Sequence, residues 1–199
     1  YMAHFALTDV EGRRFHFFER TGRGALGLAG AISRPFRVWL DDWSAEGGKD
    51  STLPIRLRAQ EEEVSVDLFL DTDRPIALHG ERGLSRKGSS PGNASYYYSM
   101  TRLSTRGTVR VQGKTFPVEG NSWLDREWGT SSLEKGQVGW DWFALQLSDG
   151  RDLMFYRLRR EDGETDPFSA GSLALPDGSS RPLAADEDRK STRLNSSHM

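Results

Sequence analysis

Residues 120–156 combine acidic side chains with tryptophans in a way that could support proton transfer. Four of the six tryptophans in the chain lie there, at positions 123, 128, 140 and 142. Three carboxyl groups lie among them, those of Asp125, Glu127 and Asp141. A charged carboxylate is costly to bury beside apolar rings unless it is paired or protonated. The segment is therefore typical of an aromatic pocket with protonatable carboxyl groups, suited to acid-assisted chemistry on an apolar substrate.

Strand alternation sorts the first part of this segment into two faces. It places Trp123, Asp125 and Glu127 on one face, with Arg126 and Trp128 on the other. A second interpretation is a salt-bridged end of a strand, with the tryptophans as ordinary core. Residue types alone favour this second interpretation over a catalytic site.

The next predicted strand, residues 138–147, is largely apolar on both faces. Trp140 and Trp142 share one face, and Asp141 lies on the other. One face would line the barrel interior and the other would pack on a second element. Alternation does not decide which is which.

Composition excludes several classes of protein. The formal net charge is -2 and the sequence pI is about 6.1, whereas a nucleic-acid module would show a basic face. The absence of cysteine excludes disulfides, thiolate nucleophiles and cysteine-based zinc sites. The four histidines are scattered without an HExxH pair, so neither a metal site nor a cofactor is expected.

Short β-rich runs flanking glycine-containing turns predict the elements that position these residues. The paired runs are residues 2–9 with 14–19, 108–111 with 115–118, and 138–147 with 153–158. Glycine supplies the positive φ that a tight turn needs. No helix of ten or more residues is indicated. Successive hairpins predict an all-β fold, an antiparallel barrel.

A glycine-rich stretch, residues 79–93, interrupts this pattern and contains Lys87. A loop of this length in a compact domain is usually functional or disordered. A lid over the barrel mouth and a plain mobile loop are equally compatible with it. His4, on the first predicted strand, is interpreted as a core or pocket-lining residue.

Both ends of the chain suggest a fragment. The sequence begins inside a predicted strand, so we expect a preceding partner strand. Residues 188–199 have no periodicity and are expected to be a non-native tail.

The acid–tryptophan segment resembles the AttH and carotenoid hydratase (CrtC) family. The likeness rests on residues 125–129 (DREWG), residues 140–143 (WDWF), and the later Asp149-Gly150 and Tyr156. The resemblance implies two consecutive lipocalin-like β-barrel domains. Residues 1–162 would be the first domain without its opening strands, and residues 163–187 would begin a linker or the second domain.

The resemblance also implies a function. Characterised relatives include carotenoid 1,2-hydratases, and other members are labelled secreted hydrolases. We therefore expect binding of an apolar isoprenoid or lipid, with acid-catalysed hydration or related lyase or hydrolase chemistry. The candidate catalytic residues are Asp125, Glu127, Asp141 and Tyr156. The candidate ligand-binding residues are Trp123, Arg126, Trp128, Trp140, Trp142 and His4.

One position departs from the family pattern. The hydratases tend to carry histidine where this chain has Arg126, and arginine cannot act as a general acid. An ion-pair or anion-anchoring role is expected for Arg126 instead. The expected partners are the apolar ligand and the second domain, with no nucleic acid. The expected location is secreted, periplasmic or in the cell envelope, close to a membrane.

Two non-catalytic functions stay open. A carrier protein would bind ligand through Trp140 and Trp142 and would tolerate loss of the carboxyl groups. A purely structural domain would stabilise its partner domain and show no pocket affinity.

Overall fold

The computed structural model describes residues 1–130 and 133–184 and confirms the all-β, antiparallel fold class. Within these residues the chain forms fifteen strands and one 3-10 turn, Ala25–Gly27. Strands β1 to β7 are Met2–Asp9, Arg14–Thr21, Ala29–Ser33, Phe36–Leu40, Trp43–Glu46, Ile55–Glu61 and Val64–Asp71. Strands β8 to β15 are Ala77–Leu78, Leu84–Arg86, Ala94–Val111, Lys114–Gly129, Gln137–Gln146, Asp152–Arg160, Ala170–Ala174 and Ser180–Ala184. The described residues contain no helix long and apolar enough to cross a membrane.

The first of two compact units contains residues 1–73 and 103–122. Strands β1 and β2 pair as a hairpin, and β3 to β7 follow one another in a sheet that continues into β10. Phe5, Trp43 and Val64 form the buried core of this unit. The rings of Phe5 and Trp43 meet edge to face at 5.8 Å, a favourable aromatic geometry.

The second unit contains residues 74–102 and the described part of residues 123–199. Strands β8 and β9 both pair with β10, and β12 to β15 form a sheet in chain order. The core of this unit contains Tyr97, Met154, Tyr156 and Leu158, with Trp123 packed against it. The second unit therefore holds most of the residues that the sequence marks for chemistry.

Three predicted hairpins are present, but two of their strands are longer than predicted. Strands β10 and β11 have 18 and 16 residues and meet at the turn that contains Gly113. Gly113 has a φ of 72°, the left-handed conformation expected of glycine there. Serine, threonine and arginine, which break a simple apolar alternation, are frequent in β10. Strand β11 contains Pro117 and Gly120, which are unfavourable inside a strand, so neither full length was evident from the sequence.

Asp152, the first residue of β13, is fully buried and holds an ionic cluster in the second unit. Its Oδ1 accepts a hydrogen bond from Arg102 Nη2 at 2.6 Å. Its Oδ2 accepts from Thr101 Oγ1 at 2.8 Å and from Arg74 Nη1 at 3.1 Å. Arg74 and Arg102 also donate to the carbonyls of Gly150 and Leu147, which fixes the β12–β13 turn.

The domain boundaries expected from the family resemblance stay predictions. Residues 163–184 continue the second unit as strands β14 and β15 and the loops before them. The tail predicted for residues 188–199, like residues 185–187, lies outside the described residues.

Candidate functional site

A cavity of about 520 Å³ lies in the second unit among residues from β10 to β13 and from the loop before β10. Its wall contains an acid, an amine and five aromatic side chains: Glu127, Lys87, Tyr97, Trp128, Trp140, Trp142 and Tyr156. A concave, mainly aromatic space with a few converging polar groups is the usual form of a small-molecule site. This cavity is therefore the candidate functional site.

An ion pair between Lys87 and Glu127 is the charged feature of the cavity. Lys87 Nζ lies 3.0 Å from Glu127 Oε1, and the Ser95 hydroxyl donates to the same oxygen at 2.5 Å. Only 20% of the Lys87 side chain is exposed. Burial lowers the pKa of Lys87, and the charge of Glu127 opposes this effect. The Glu127 carboxyl therefore has a cationic partner inside the cavity.

Tyr156 forms the surface on which the Lys87 ammonium rests. Lys87 Nζ lies 3.6 Å from the ring centroid of Tyr156, a cation–π contact. The Tyr156 hydroxyl bonds to Ser85 Oγ at 3.0 Å and donates to the Arg86 carbonyl at 3.3 Å. Burial raises the pKa of Tyr156, so its hydroxyl stays protonated at neutral pH.

Tyr97 and Trp142 form a second, hydrogen-bonded part of the wall. Trp142 Nε1 donates to the Tyr97 hydroxyl oxygen at 3.0 Å. The Tyr97 ring centroid lies 5.3 Å from Lys87 Nζ. Burial raises the pKa of Tyr97, and the negative charge of Asp125 raises it further. The Tyr97 hydroxyl is therefore a neutral group that accepts the hydrogen bond from Trp142.

The loop that carries Lys87 is held in place by hydrogen bonds from the segment before β12 and from the first residue of β12. The Glu134 carboxylate accepts from the backbone N–H groups of Ser89 at 3.0 Å and Ser90 at 2.6 Å. Hydrogen bonds from Ser90 and then Ser89 lower the pKa of Glu134 to about 2. Gln137 Nε2 donates to the Lys87 carbonyl at 2.8 Å. These contacts fix the backbone from which Lys87 enters the cavity.

Five of the residues predicted from the sequence line the cavity. They are Glu127, Trp128, Trp140, Trp142 and Tyr156. The predicted alternation explains the placement of Trp140 and Trp142, which project from one face of β12.

Trp123 and Asp125 lie next to this wall, although they do not line the cavity. Trp123 Nε1 donates to Asp125 Oδ1 at 2.9 Å, and Trp123 packs against the core that contains Tyr97.

Three predicted site residues are not brought to the cavity. Asp141 faces away from it and pairs with Arg159 at 3.6 Å, as strand alternation requires once Trp140 and Trp142 face inward. Arg126 is exposed and is not among the residues that line the cavity. His4 belongs to the first unit, where its Nε2 lies 2.8 Å from Glu19. In the part of the chain that the structure describes, no cluster of three acidic or histidine side chains could hold a metal ion.

Sequence reasoning gave no site role to Lys87, His79, Tyr97 or Ser99. Lys87 and His79 belong to the glycine-rich stretch that was interpreted as a lid or a mobile loop. The sequence shows Lys87 only as a single lysine in a long loop. Its partners, Glu127 on β11 and Tyr156 on β13, are distant in sequence, so no local pattern indicates a site role for it. Tyr97 and Ser99 alternate inward on β10, a pattern that also fits ordinary packing.

Comparisons with known proteins show the family and agree with the all-β fold. A sequence model of the family described as AttH-like matches residues 1–198. A crystal structure of an AttH of Nitrosomonas europaea superimposes with a TM-score of 0.83 and 34% identity, covering 93% of this chain and 57% of that one. Kievitone hydratase of Nectria haematococca has a TM-score of 0.73 over 92% of this chain and 55% of its own, and at 15% identity this shows the fold alone.

Two curated fungal proteins are similar in sequence. Kievitone hydratase of Fusarium solani subsp. phaseoli is 26% identical over 104 residues, which are 50% of this chain and 28% of that protein. Dehydratase asqC of Emericella nidulans is 23% identical over 150 residues, which are 71% of this chain and 40% of that protein. The chain thus matches less than half the length of either curated relative.

Proposed function

Because the chain belongs to the AttH-like family, we propose that its cavity binds a largely apolar small molecule and adds water to it or removes water from it. The names of the two curated relatives, a hydratase and a dehydratase, support this reaction class. The observation that carries the proposal is the Lys87–Glu127 ion pair inside an aromatic cavity. A secreted or cell-envelope location and a second lipocalin-like domain as partner belong to the same proposal and rest on the family resemblance.

The charged pair supplies the base and the acid that removal of water needs. Glu127 takes a proton from the carbon next to the one that bears the hydroxyl group. The electrons of that C–H bond form the double bond as the C–O bond breaks. The hydroxyl leaves as water after it receives a proton from the Lys87 ammonium. Addition of water is the same sequence reversed, with Glu127 as carboxylic acid and Lys87 as amine.

The walls of the cavity indicate the substrate class. Trp128, Trp140 and Trp142 are each about half exposed, so a ligand in the cavity would cover large aromatic surfaces. An isoprenoid, a prenylated aromatic compound or another lipid-like molecule fits such a surface. The developing positive charge of an acid-promoted reaction would be stabilised by the same rings.

Glu127→Gln should lower turnover by about 10²–10⁴-fold, the usual contribution of a positioned general base or acid. Glutamine keeps the size of the side chain and an oxygen for Lys87, so ligand affinity should change little. Turnover is measured by mass spectrometry in heavy-oxygen water, with kievitone, the compound named by two of the similar proteins, and a panel of prenylated phenols and isoprenoid alkenes. Asp141→Asn is the matched control because Asp141 faces away from the cavity. Unchanged turnover in Glu127→Gln would contradict the proposal.

A non-catalytic binding protein is the second candidate function. It is favoured by the fact that two pairs of polar groups in the cavity already satisfy each other: Lys87 with Glu127, and Trp142 with Tyr97. In that case, ligand affinity measured by isothermal titration should depend on Trp140 and Trp142. No variant, including the unmodified chain, should then show incorporation of heavy oxygen.

A further inference from the structure

A second concave space of about 640 Å³, the outer pocket, lies in the second unit beside the end of β11. Its size is within the range of small-molecule sites, about 300–1,000 Å³. Side chains of β9 and β10, the turn at residues 90–93 and residues 128–130 line it. The hydrogen bond from the Ser90 backbone N–H to Glu134 fixes the turn. The outer pocket is therefore formed before any ligand binds.

Strand pairing places the outer pocket on the opposite face of β10 from the cavity of the candidate functional site. Leu84 on β9 pairs with Tyr96 on β10, and both line the outer pocket. Ser95 and Tyr97, the neighbours of Tyr96 on β10, line the other cavity instead. Successive side chains of a strand point to opposite faces. The two spaces are therefore distinct, and they adjoin at Trp128, which lines both.

Two exposed aromatic rings form a platform in the outer pocket. Tyr96 and Trp128 are both more than half exposed, and their rings stack with centroids 5.6 Å apart and planes tilted by 26°. Tyr98 meets the Trp128 ring edge to face at 6.1 Å and so supports its orientation. Leu84 adds exposed apolar surface beside the rings. A flat aromatic ligand can cover this platform without rearrangement of the strands.

Arg86 supplies the charge of the outer pocket. It is exposed, and it is the one charged residue among the described residues that line this pocket. Its guanidinium lies 5.4 Å from the ring centroid of Phe168, a cation–π contact. In the part of the chain that the structure describes, no carboxylate pairs with Arg86. A guanidinium with free N–H donors favours a ligand that carries an anionic group.

We propose that the outer pocket is a second binding site, which takes a flat aromatic molecule with an anionic group such as a carboxylate or a sulfonate. The ligand rings stack on Tyr96 and Trp128, and the anionic group accepts hydrogen bonds from the Arg86 guanidinium. Neither Lys87 nor Glu127 lines this pocket, so the site goes beyond the proposed hydration or dehydration.

The test uses two fluorescent probes, anilinonaphthalenesulfonate and phenylnaphthylamine, which share their aromatic rings and differ in the sulfonate group. Arg86→Gln should weaken binding of the sulfonate probe about tenfold, the effect of losing a charge-assisted hydrogen bond, and leave the affinity for the neutral probe unchanged. Tyr96→Ala should weaken binding of the sulfonate probe about threefold to tenfold, because the stacked ring is lost. Fluorescence titration gives each dissociation constant.

Arg82→Gln is the matched control, because Arg82 is an exposed arginine of the same stretch that does not line the outer pocket. Trp140→Ala changes the wall of the other cavity alone. Both variants should keep the affinity for the sulfonate probe.

Four results would overturn the proposal. They are the absence of saturable binding, equal losses in Arg86→Gln and Arg82→Gln, no loss in Tyr96→Ala, and a loss confined to Trp140→Ala. Circular dichroism checks that each variant is folded. The titration needs no turnover, so a failed hydration assay would leave this proposal standing.

Discussion

Asp152→Ala should lower the free energy of unfolding by about 3–5 kcal/mol, the usual cost of removing one partner from a buried ion pair. Asp152 is fully buried and accepts hydrogen bonds from Arg74, Arg102 and Thr101. Alanine would leave two partly buried guanidinium groups without their shared carboxylate. Urea denaturation followed by circular dichroism gives the unfolding free energy.

Two variants check that this loss belongs to the buried cluster. Asp149→Ala removes a carboxylate from the same β12–β13 turn, but Asp149 pairs with Arg151 at the surface and its loss should scarcely move the midpoint. Asp152→Asn keeps the shape and one acceptor and should have an intermediate midpoint. Equal midpoints for Asp152→Ala and the unmodified chain would show that the cluster contributes nothing to stability.

Acid should destabilise the protein through His79. Its pKa is lowered from 6.5 to about 4 by burial first and by the charge of Lys87 second, with Glu127 acting in the opposite sense. Between these two values the unfolded chain binds a proton that the folded chain does not, so stability falls as the pH falls. The loss amounts to about 3 kcal/mol and is complete below about pH 4.

The His79 contribution is isolated by comparing unfolding free energies at neutral and acidic pH in the unmodified chain and in His79→Gln. The variant should lose most of the difference, whatever its stability at neutral pH. His4→Gln serves as the comparison, because His4 is half exposed in the first unit whereas His79 is buried in the second. An identical pH dependence in His79→Gln would mean that other groups cause the acid loss.

Much of the fold could be predicted from the sequence because hairpin turns are local. The turn at Gly113, the hairpin of β1 and β2 and the absence of a long helix from the described residues all follow from short-range patterns. Short-range patterns do not predict the full length of β10 or the short strands β8 and β9. Their pairing depends on partners distant in sequence, and their own residues are too polar or too few to indicate a strand.

The candidate site, like the fold, has residues that local patterns predict and residues that they do not. Alternation in β11 and β12 was sufficient to group Trp123 with Asp125 and Glu127, and to separate Asp141 from its tryptophan neighbours. Alternation could not predict the role of Lys87, because this residue lies in a loop far from Glu127 in sequence. The two side chains come together only when the chain folds. The ion pair of Glu127 with Lys87 depends on that contact, and no short-range pattern in the sequence indicates it.

The half-exposed tryptophans of the cavity have a thermodynamic consequence. Trp128, Trp140 and Trp142 are 51%, 59% and 43% exposed, so their rings are hydrated when the cavity holds no ligand. A ligand that covers them removes apolar surface from water, and such burial gives a negative heat-capacity change. The enthalpy of binding should therefore become more favourable as the temperature rises, whether or not the bound molecule is later hydrated.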